Sequence, residues 1–302
     1  MVHFAQDPKT VEQELIKYSL QVPQEEPLEA HVHARTSTPH IRVRNVGERV
    51  VAAGKKVCEM ERVKSFREFE RLQKKVRSSE EESAFAEIAE TCVRWQKACK
   101  RMEGKWSFVV SKSSQINAFV TGVLPRKVFI CSGLLDRLDL TDDELAMIMG
   151  HELSHCILGH VEEDIPLGAI LLGIQLGLMT FVDPTGMSAY FFDASVAWLR
   201  DIVNATYSRQ HETEADELGL LLTSMACFDT SSGKTVHAKM ARMSPTQHTQ
   251  LLHTHPASAE RSEKLELLSQ QHAERLKTDP LLRGSQDCSM YRSMLPGFRF
   301  GF

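Results

Sequence analysis

Apolar positions recur with a helical period over two long stretches of the chain and cluster with strand-like density in three short ones. From Val63 to Met102 the period is helical in two pieces, split near Ser78 and Ser79. In the second piece Phe85, Ile88, Ala89, Cys92, Val93, Gln96 and Cys99 follow i, i+3, i+4, i+7 spacing, a core-facing stripe with no chemistry in it. Next come three runs rich in β-branched and aromatic residues, Trp106 to Val110, Ile116 to Val120 and Lys127 to Cys131. Gly122 and Pro125 separate the last two, which suggests a small antiparallel sheet. A long helix is predicted to start at Thr141. Thr141 with Glu144 makes a capping box, and Asp142 and Asp143 suit the positive end of the helix dipole. Residues 1–45 are expected to form an extended arm, with Pro8, Pro23, Pro27 and Pro39 breaking any long helix. Residues 276–302 are expected to be a C-terminal tail. The whole is an α+β chain, mainly helical.

A chain of 302 residues can bury a sizeable core, and a net charge of −4 gives no basic footprint, so no nucleic-acid partner is expected on charge. The cysteines, at 58, 92, 99, 131, 156, 227 and 288, are scattered and never form C-x-x-C. That excludes a zinc ribbon and leads us to expect buried free thiols rather than a disulfide framework. The amino terminus carries no apolar secretory signal. Glu12, Glu14, Glu25 and Glu26 also fit poorly with an acid-poor mitochondrial presequence. His31 and His33 lie two apart in the arm, with no nearby carboxylate or cysteine that the pattern would make a third ligand, and read as solvated linker histidines.

The chemistry sits on the helix that begins at Thr141. There the chain reads H-E-L-S-H over residues 151 to 155, so His151 and His155 project from one helix face within reach of a single metal ion. Glu152 is placed to take a proton from a metal-bound water. One Zn2+ per chain suits such nitrogen and oxygen donors. The flanking Leu145, Met147, Ile148, Met149, Leu153, Ile157 and Leu158 are apolar on nearly every side. Burying two imidazoles and a carboxylate there is costly unless something binds them. The metzincin extension is missing, since positions 158 and 161 are Leu158 and Val161. His160, five residues past His155, would lie roughly 140° round a continuing helix and point elsewhere, so we read it as a structural histidine. The better third ligand is Glu212 in Y-S-R-Q-H-E-T-E-A-D, residues 207 to 216. Glu212 and Asp216 are i, i+4 on a second helix, with Asp216 able to orient a ligating histidine; Glu214 fits a solvated face.

These motifs resemble the M48 metallopeptidases, in particular those of the mitochondrial inner membrane. The resemblance runs over about residues 105 to 270. It rests on N-A-F (117 to 119), G-L-L (133 to 135), G-H-E-L-S-H-C-I-L-G-H (150 to 160), S-R-Q-H-E-T-E-A-D (208 to 216), G-L-L-L (219 to 222) and T-H-P-A-S-A-E-R (254 to 261). It implies a zincin-like catalytic domain, set here at 46–275, that hydrolyses peptide bonds in membrane-associated quality control or processing. It makes Glu212 the third zinc ligand. It also gives His255 a place near the metal, as an oxyanion stabiliser or a latent-state cap, which His248, His253 and His255 could not be ranked for from residues alone. Arg261 would tie down that segment. Asn117, Ala118 and Phe119 would form the strand edge on which a protein or peptide substrate pairs. After them Thr121 to Lys127 reads T-G-V-L-P-R-K where the family carries a short Pro-Gly turn, so specificity there stays open.

Between the two metal helices, Ile165 to Val182 is eighteen residues without a charge, the lower bound for a spanning helix, and Gly173 and Gly177 form G-x-x-x-G. Pro166, Gln175 and the lack of flanking basic residues argue instead for a buried hydrophobic segment. The resemblance tilts this reading to membrane association and implies the mitochondrial inner membrane; a homo-oligomer stays open. The alternative function is a catalytically silent zinc scaffold or chaperone-like module. That reading needs a broken base or ligand, and the motifs retain all of them.

Overall fold

A computed structural model of the chain describes residues 8–23, 26–74, 79–121, 124–160, 209–242, 259–278 and 288. The described helices are α1 (Pro8–Ser19), α2 (Leu28–His31), α3 (Thr38–Gln73), α4 (Ser79–Met102), α5 (Ser132–Leu138) and α6 (Asp142–Leu158). They continue with α7 over 209–225, α8 (Ser232–Ala241) and α9 (Ala259–Thr278). The strands are β1 (Ser107–Ser111), β2 (Ala118–Val120) and β3 (Lys127–Cys131).

The helix split between α3 and α4 falls where the pattern places it, but α3 begins far earlier than Val63. Its buried face, including Val43, Val46, Val50, Val57 and Cys58, keeps helical spacing throughout. Gly47, Gly54 and the many valines lower its intrinsic propensity, and packing against α4, α6 and β1 overrides that. The stripe on α4 is only half-buried at Phe85, Ile88, Ala89 and Cys92, and Val93 is exposed.

The expected extended arm is corrected where it is described: Pro8–Ser19 is helical, and position 45 falls inside α3. Three of the four prolines begin helices, and Pro23 lies between α1 and α2. Pro8 opens α1, Pro27 is the N-cap residue of α2, and Pro39 lies in the first turn of α3, where a missing N–H costs nothing.

The sheet is also corrected, from antiparallel to mixed. Its order is β1-β3-β2, with β1 and β3 parallel and β2 and β3 antiparallel. The strands alternate in direction as a meander would, yet β3 takes the centre as the strand buried most fully on both faces. Its Val128 and Ile130 enter the main core, whereas Phe129 enters a smaller cluster with Ile16, Leu28 and Leu124. Phe129 also stacks on Phe119 of β2, 4.8 Å between centroids.

Two of the cysteines expected to be free thiols are not. Cys227 and Cys288 form a disulfide across 61 residues, a separation that carries no local signal. Cys58, Cys92, Cys99, Cys131 and Cys156 are not disulfide-bonded, and burial pushes the Cys58 thiol up to about 12 and that of Cys131 to about 11.

Candidate metal centre

Helix α6 runs through the middle of the core and is buried on almost every side, as its all-round apolar sequence requires. Its start is fixed by the capping box: Glu144 N–H donates to Thr141 Oγ1 (3.2 Å) and Thr141 N–H to Glu144 Oε2 (2.7 Å). Lys239 of α8 donates to the same carboxylate at 2.6 Å. Helix α7 crosses α6 where two glycines meet. A Cβ built on Gly150 would lie 2.8 Å from Gly219 O, and one on Gly219 would lie 2.9 Å from His151 N. With no side chain between the backbones, the carboxylates of α7 reach the histidines of α6. Arg49 of α3 holds the far end of α7, donating to Ala226 O and Cys227 O at 2.7 and 2.9 Å.

At this crossing His151, His155 and Glu212 converge, the one His/Cys/Asp/Glu group among the described residues that could hold a metal ion. His151 Nε2 is 3.1 Å from His155 Nε2 and 3.4 Å from Glu212 Oε2, and His155 Nε2 is 3.3 Å from Glu212 Oε1. A tetrahedral ion with bonds of 2.0–2.1 Å needs donors about 3.3–3.4 Å apart, so these separations are close to the edges of its coordination shell. The charge balance also fits. Burial disfavours a charge on His151, but Asp216 and Glu212 outweigh it and raise its pKa to about 10. A field that would hold a proton so firmly favours a metal cation in its place. Glu152, next to His151 on α6, is buried at 2% exposure.

Around the three donors stands a polar layer. His151 Nδ1 is 2.9 Å from Asp216 Oδ1. Arg261 of α9 donates from Nε to Asp216 Oδ2 (2.8 Å) and from Nη2 to Oδ1 (2.9 Å), and its Nη1 is 2.9 Å from Glu212 Oε2. Burial would raise the Asp216 pKa, but His151 and Arg261 hold it well below the usual carboxylate range. Arg261 therefore clamps the α7 carboxylates, a role that spacing could not reveal because it lies 45 residues from Asp216.

His160 is corrected too. Helix α6 ends at Leu158 and Gly159 adopts φ +89°, so the chain folds back instead of continuing the turn. His160, 3% exposed, thereby lies with Nδ1 3.0 Å from His155 Nδ1 and Nε2 3.3 Å from Glu214 Oε2. Glu214 is thus not simply a solvated residue. His237 on α8 was not singled out by any motif. Its Nδ1 is buried without a hydrogen bond, and burial chiefly lowers its pKa to about 4, with smaller effects from the charges of Asp216, Arg261, His151 and Glu212.

Asn117 and Ala118 are buried and Phe119 is half-buried on or beside β2. The Asn117 carbonyl accepts from Cys131 N–H at 2.9 Å, and its Oδ1 is buried without a partner. His255 and the 165–182 segment lie outside the described residues. Among the described residues no helix is long and apolar enough to cross a membrane.

The model of peptidase family M48 matches residues 80–269, well over half of the chain. The chain belongs to peptidase family M48. By that membership the centre is one for a divalent metal ion. The chain is 33% identical over 173 residues to the mitochondrial metalloendopeptidase OMA1 of Arabidopsis thaliana, covering 56% of this chain and 33% of that one. It is 32% identical to the human mitochondrial metalloendopeptidase OMA1, over 54% of this chain and 32% of that one. It is 26% identical to the metalloprotease LoiP of Escherichia coli, over 53% of this chain and 61% of that one. The matched parts cover a third of the first two relatives and under two thirds of the third.

Proposed function

We propose that this chain is a zinc metalloendopeptidase. The observation that carries the reading is the convergence of His151, His155 and Glu212 on one point, with each histidine facing one oxygen of the Glu212 carboxylate, beside the buried Glu152. Zinc, when bound, would supply a Lewis acid that polarises a carbonyl and lowers the pKa of water towards ~7. His151, His155 and Glu212 would hold it. Asp216 would fix the His151 ring by accepting its Nδ1 proton, and Arg261 would keep both α7 carboxylates in place. Glu152, buried beside His151 on the same helix, would take the water proton and hand it to the leaving amine. Asn117, Ala118 and Phe119 would offer the sheet edge to an extended substrate. His255 would add a group for the oxyanion or a latent cap. The relatives named mitochondrial suggest the same compartment, and the uncharged 165–182 segment suggests the inner membrane as the place of work.

The test is zinc content and casein cleavage for wild type and Glu152→Gln. Wild type should carry one zinc and cleave casein, lose activity to a chelator and regain it with zinc. Glu152→Gln should keep the zinc and lose cleavage; cleavage by that variant at the wild-type rate would remove Glu152 from its role. Carbonate extraction tests the membrane: release into the soluble fraction speaks against integration.

A further inference from the structure

The two histidines of the centre are supported unequally. His151 has a carboxylate on its second ring nitrogen, Asp216, as metal-bound histidines commonly do. At His155 the second ring nitrogen meets another imidazole instead: Nδ1 is 3.0 Å from His160 Nδ1, and His160 Nε2 in turn is 3.3 Å from Glu214 Oε2.

We propose that His160 and Glu214 form a relay that positions His155 for the metal, doing through one intervening imidazole what Asp216 does directly for His151. The inference rests on the zinc reading above. If Nε2 of His155 gives its lone pair to a metal, the ring's proton must sit on Nδ1, and Nδ1 is then a donor. His160 Nδ1 must accept it, which fixes His160 as the Nε2–H tautomer. That N–H faces Glu214, so every nitrogen is used once and the chain ends on a carboxylate. The reverse direction would need His155 to accept at Nδ1 while also binding through Nε2, leaving its ring without a proton.

The surroundings hold this arrangement. The His160 ring lies flat on His211, with centroids 4.0 Å apart and planes 8° from parallel. Gln210, one turn before Glu214, donates to Glu214 Oε1 at 2.8 Å and aims Oε2 at His160. Gly159 supplies the positive φ that turns His160 back, and a Cβ there would stand 2.6 Å from the Arg101 guanidinium. The second metal helix therefore supports both histidines of the first, Asp216 on one and Glu214 on the other.

The experiment compares His160→Phe, His160→Asn and Glu214→Gln with wild type. Zinc affinity is measured by competition with a chelator, and thermal unfolding of the metal-free proteins is followed alongside. Phenylalanine keeps a flat ring against His211 but leaves the His155 N–H without an acceptor, so zinc affinity should fall about 10- to 100-fold. Asparagine puts an oxygen where Nδ1 was and should restore most of that loss. Glu214→Gln, on the more exposed side of the pair, should lose affinity at the lower end of that range, about tenfold. At saturating zinc, KM for a peptide should stay at the wild-type value while kcat falls. A His160→Phe protein that binds zinc as tightly as wild type would overturn the relay. So would equal losses in the Phe and Asn variants accompanied by equal drops in metal-free melting temperature, the mark of packing alone. Should His160→Phe fail to fold, an unchanged zinc affinity in Glu214→Gln overturns it. Wild type binding no zinc would bring down the metal reading itself, an outcome distinct from all of these.

Discussion

Replacing Gly219 by alanine sets helix propensity against the geometry of the metal centre. Alanine gains about 1 kcal/mol over glycine in a helix interior, so on propensity alone the protein should become more stable. The new Cβ, however, would lie 2.9 Å from His151 N, 3.0 Å from His151 Cα and 3.1 Å from Gly150 C, all backbone atoms of α6 that cannot rotate away. Ordinary contacts are about 3.5–4.0 Å, so the helices must part by roughly 0.5–1 Å. Overpacking of this kind costs about 1–3 kcal/mol, leaving a net loss of roughly 0–2 kcal/mol. The metal site is hit harder. The separations of 3.4 and 3.3 Å between the histidines and Glu212 would stretch towards 4 Å, and sites of this kind tolerate displacements of only about 0.5 Å. We expect zinc affinity to fall about tenfold or more with only a small change in melting temperature. Gly233→Ala is the control, because its Cβ would meet only the flexible Met147 side chain, at 3.5 Å or more. Chelator competition and calorimetry on both variants decide the matter. A Gly219→Ala protein with a raised melting temperature and wild-type zinc affinity would show that the glycine crossing does not set the site.

Other consequences can be measured alongside. Arg261→Gln removes the fork from Asp216 and leaves a buried carboxylate short of its cation, so stability should drop by about 3–5 kcal/mol in urea unfolding and zinc binding should weaken. Reducing the Cys227–Cys288 bond, or Cys227→Ser, should cost about 4 kcal/mol by the loop-entropy relation for 61 residues, read as a lower urea midpoint that wild type regains on reoxidation. His237 has a folded pKa lowered to about 4 from 6.5, so the unfolded state binds the extra proton between those values and stability must fall with falling pH across that window. Metal-free wild type should therefore lose up to about 3 kcal/mol more than His237→Phe between pH 6.5 and 4, and parallel pH curves would rule this out.

Residues that act within one helical turn were legible from the chain alone. The capping box, the i, i+4 spacing of His151 and His155, and that of Glu212 and Asp216 are local geometry, and motif order supplied the family. What depends on the end of an element was misread. His160 was placed by extending a helix that in fact stops at Gly159, and a change of one dihedral sign moved it from the far face to the ring of His155. Pro8, Pro27 and Pro39 are ambiguous from sequence because composition does not say whether a proline begins a helix or interrupts one. Strand order, the Cys227–Cys288 pairing and the grip of Arg261 are long-range choices. They are settled by which surfaces bury best together, and no short window of sequence contains them.

The position of Arg261 also bears on timing. It lies in α9, 109 residues after Glu152, so the cation that holds Glu212 and Asp216 leaves the ribosome after both metal helices have emerged. At ordinary elongation rates the 45 residues from Asp216 to Arg261 take roughly 2 to 9 seconds. Through that interval the base and the metal-facing histidines exist, but the two carboxylates lack their clamp. In the order of synthesis the clamp on Glu212 and Asp216 is thus the last part of this polar layer to arrive.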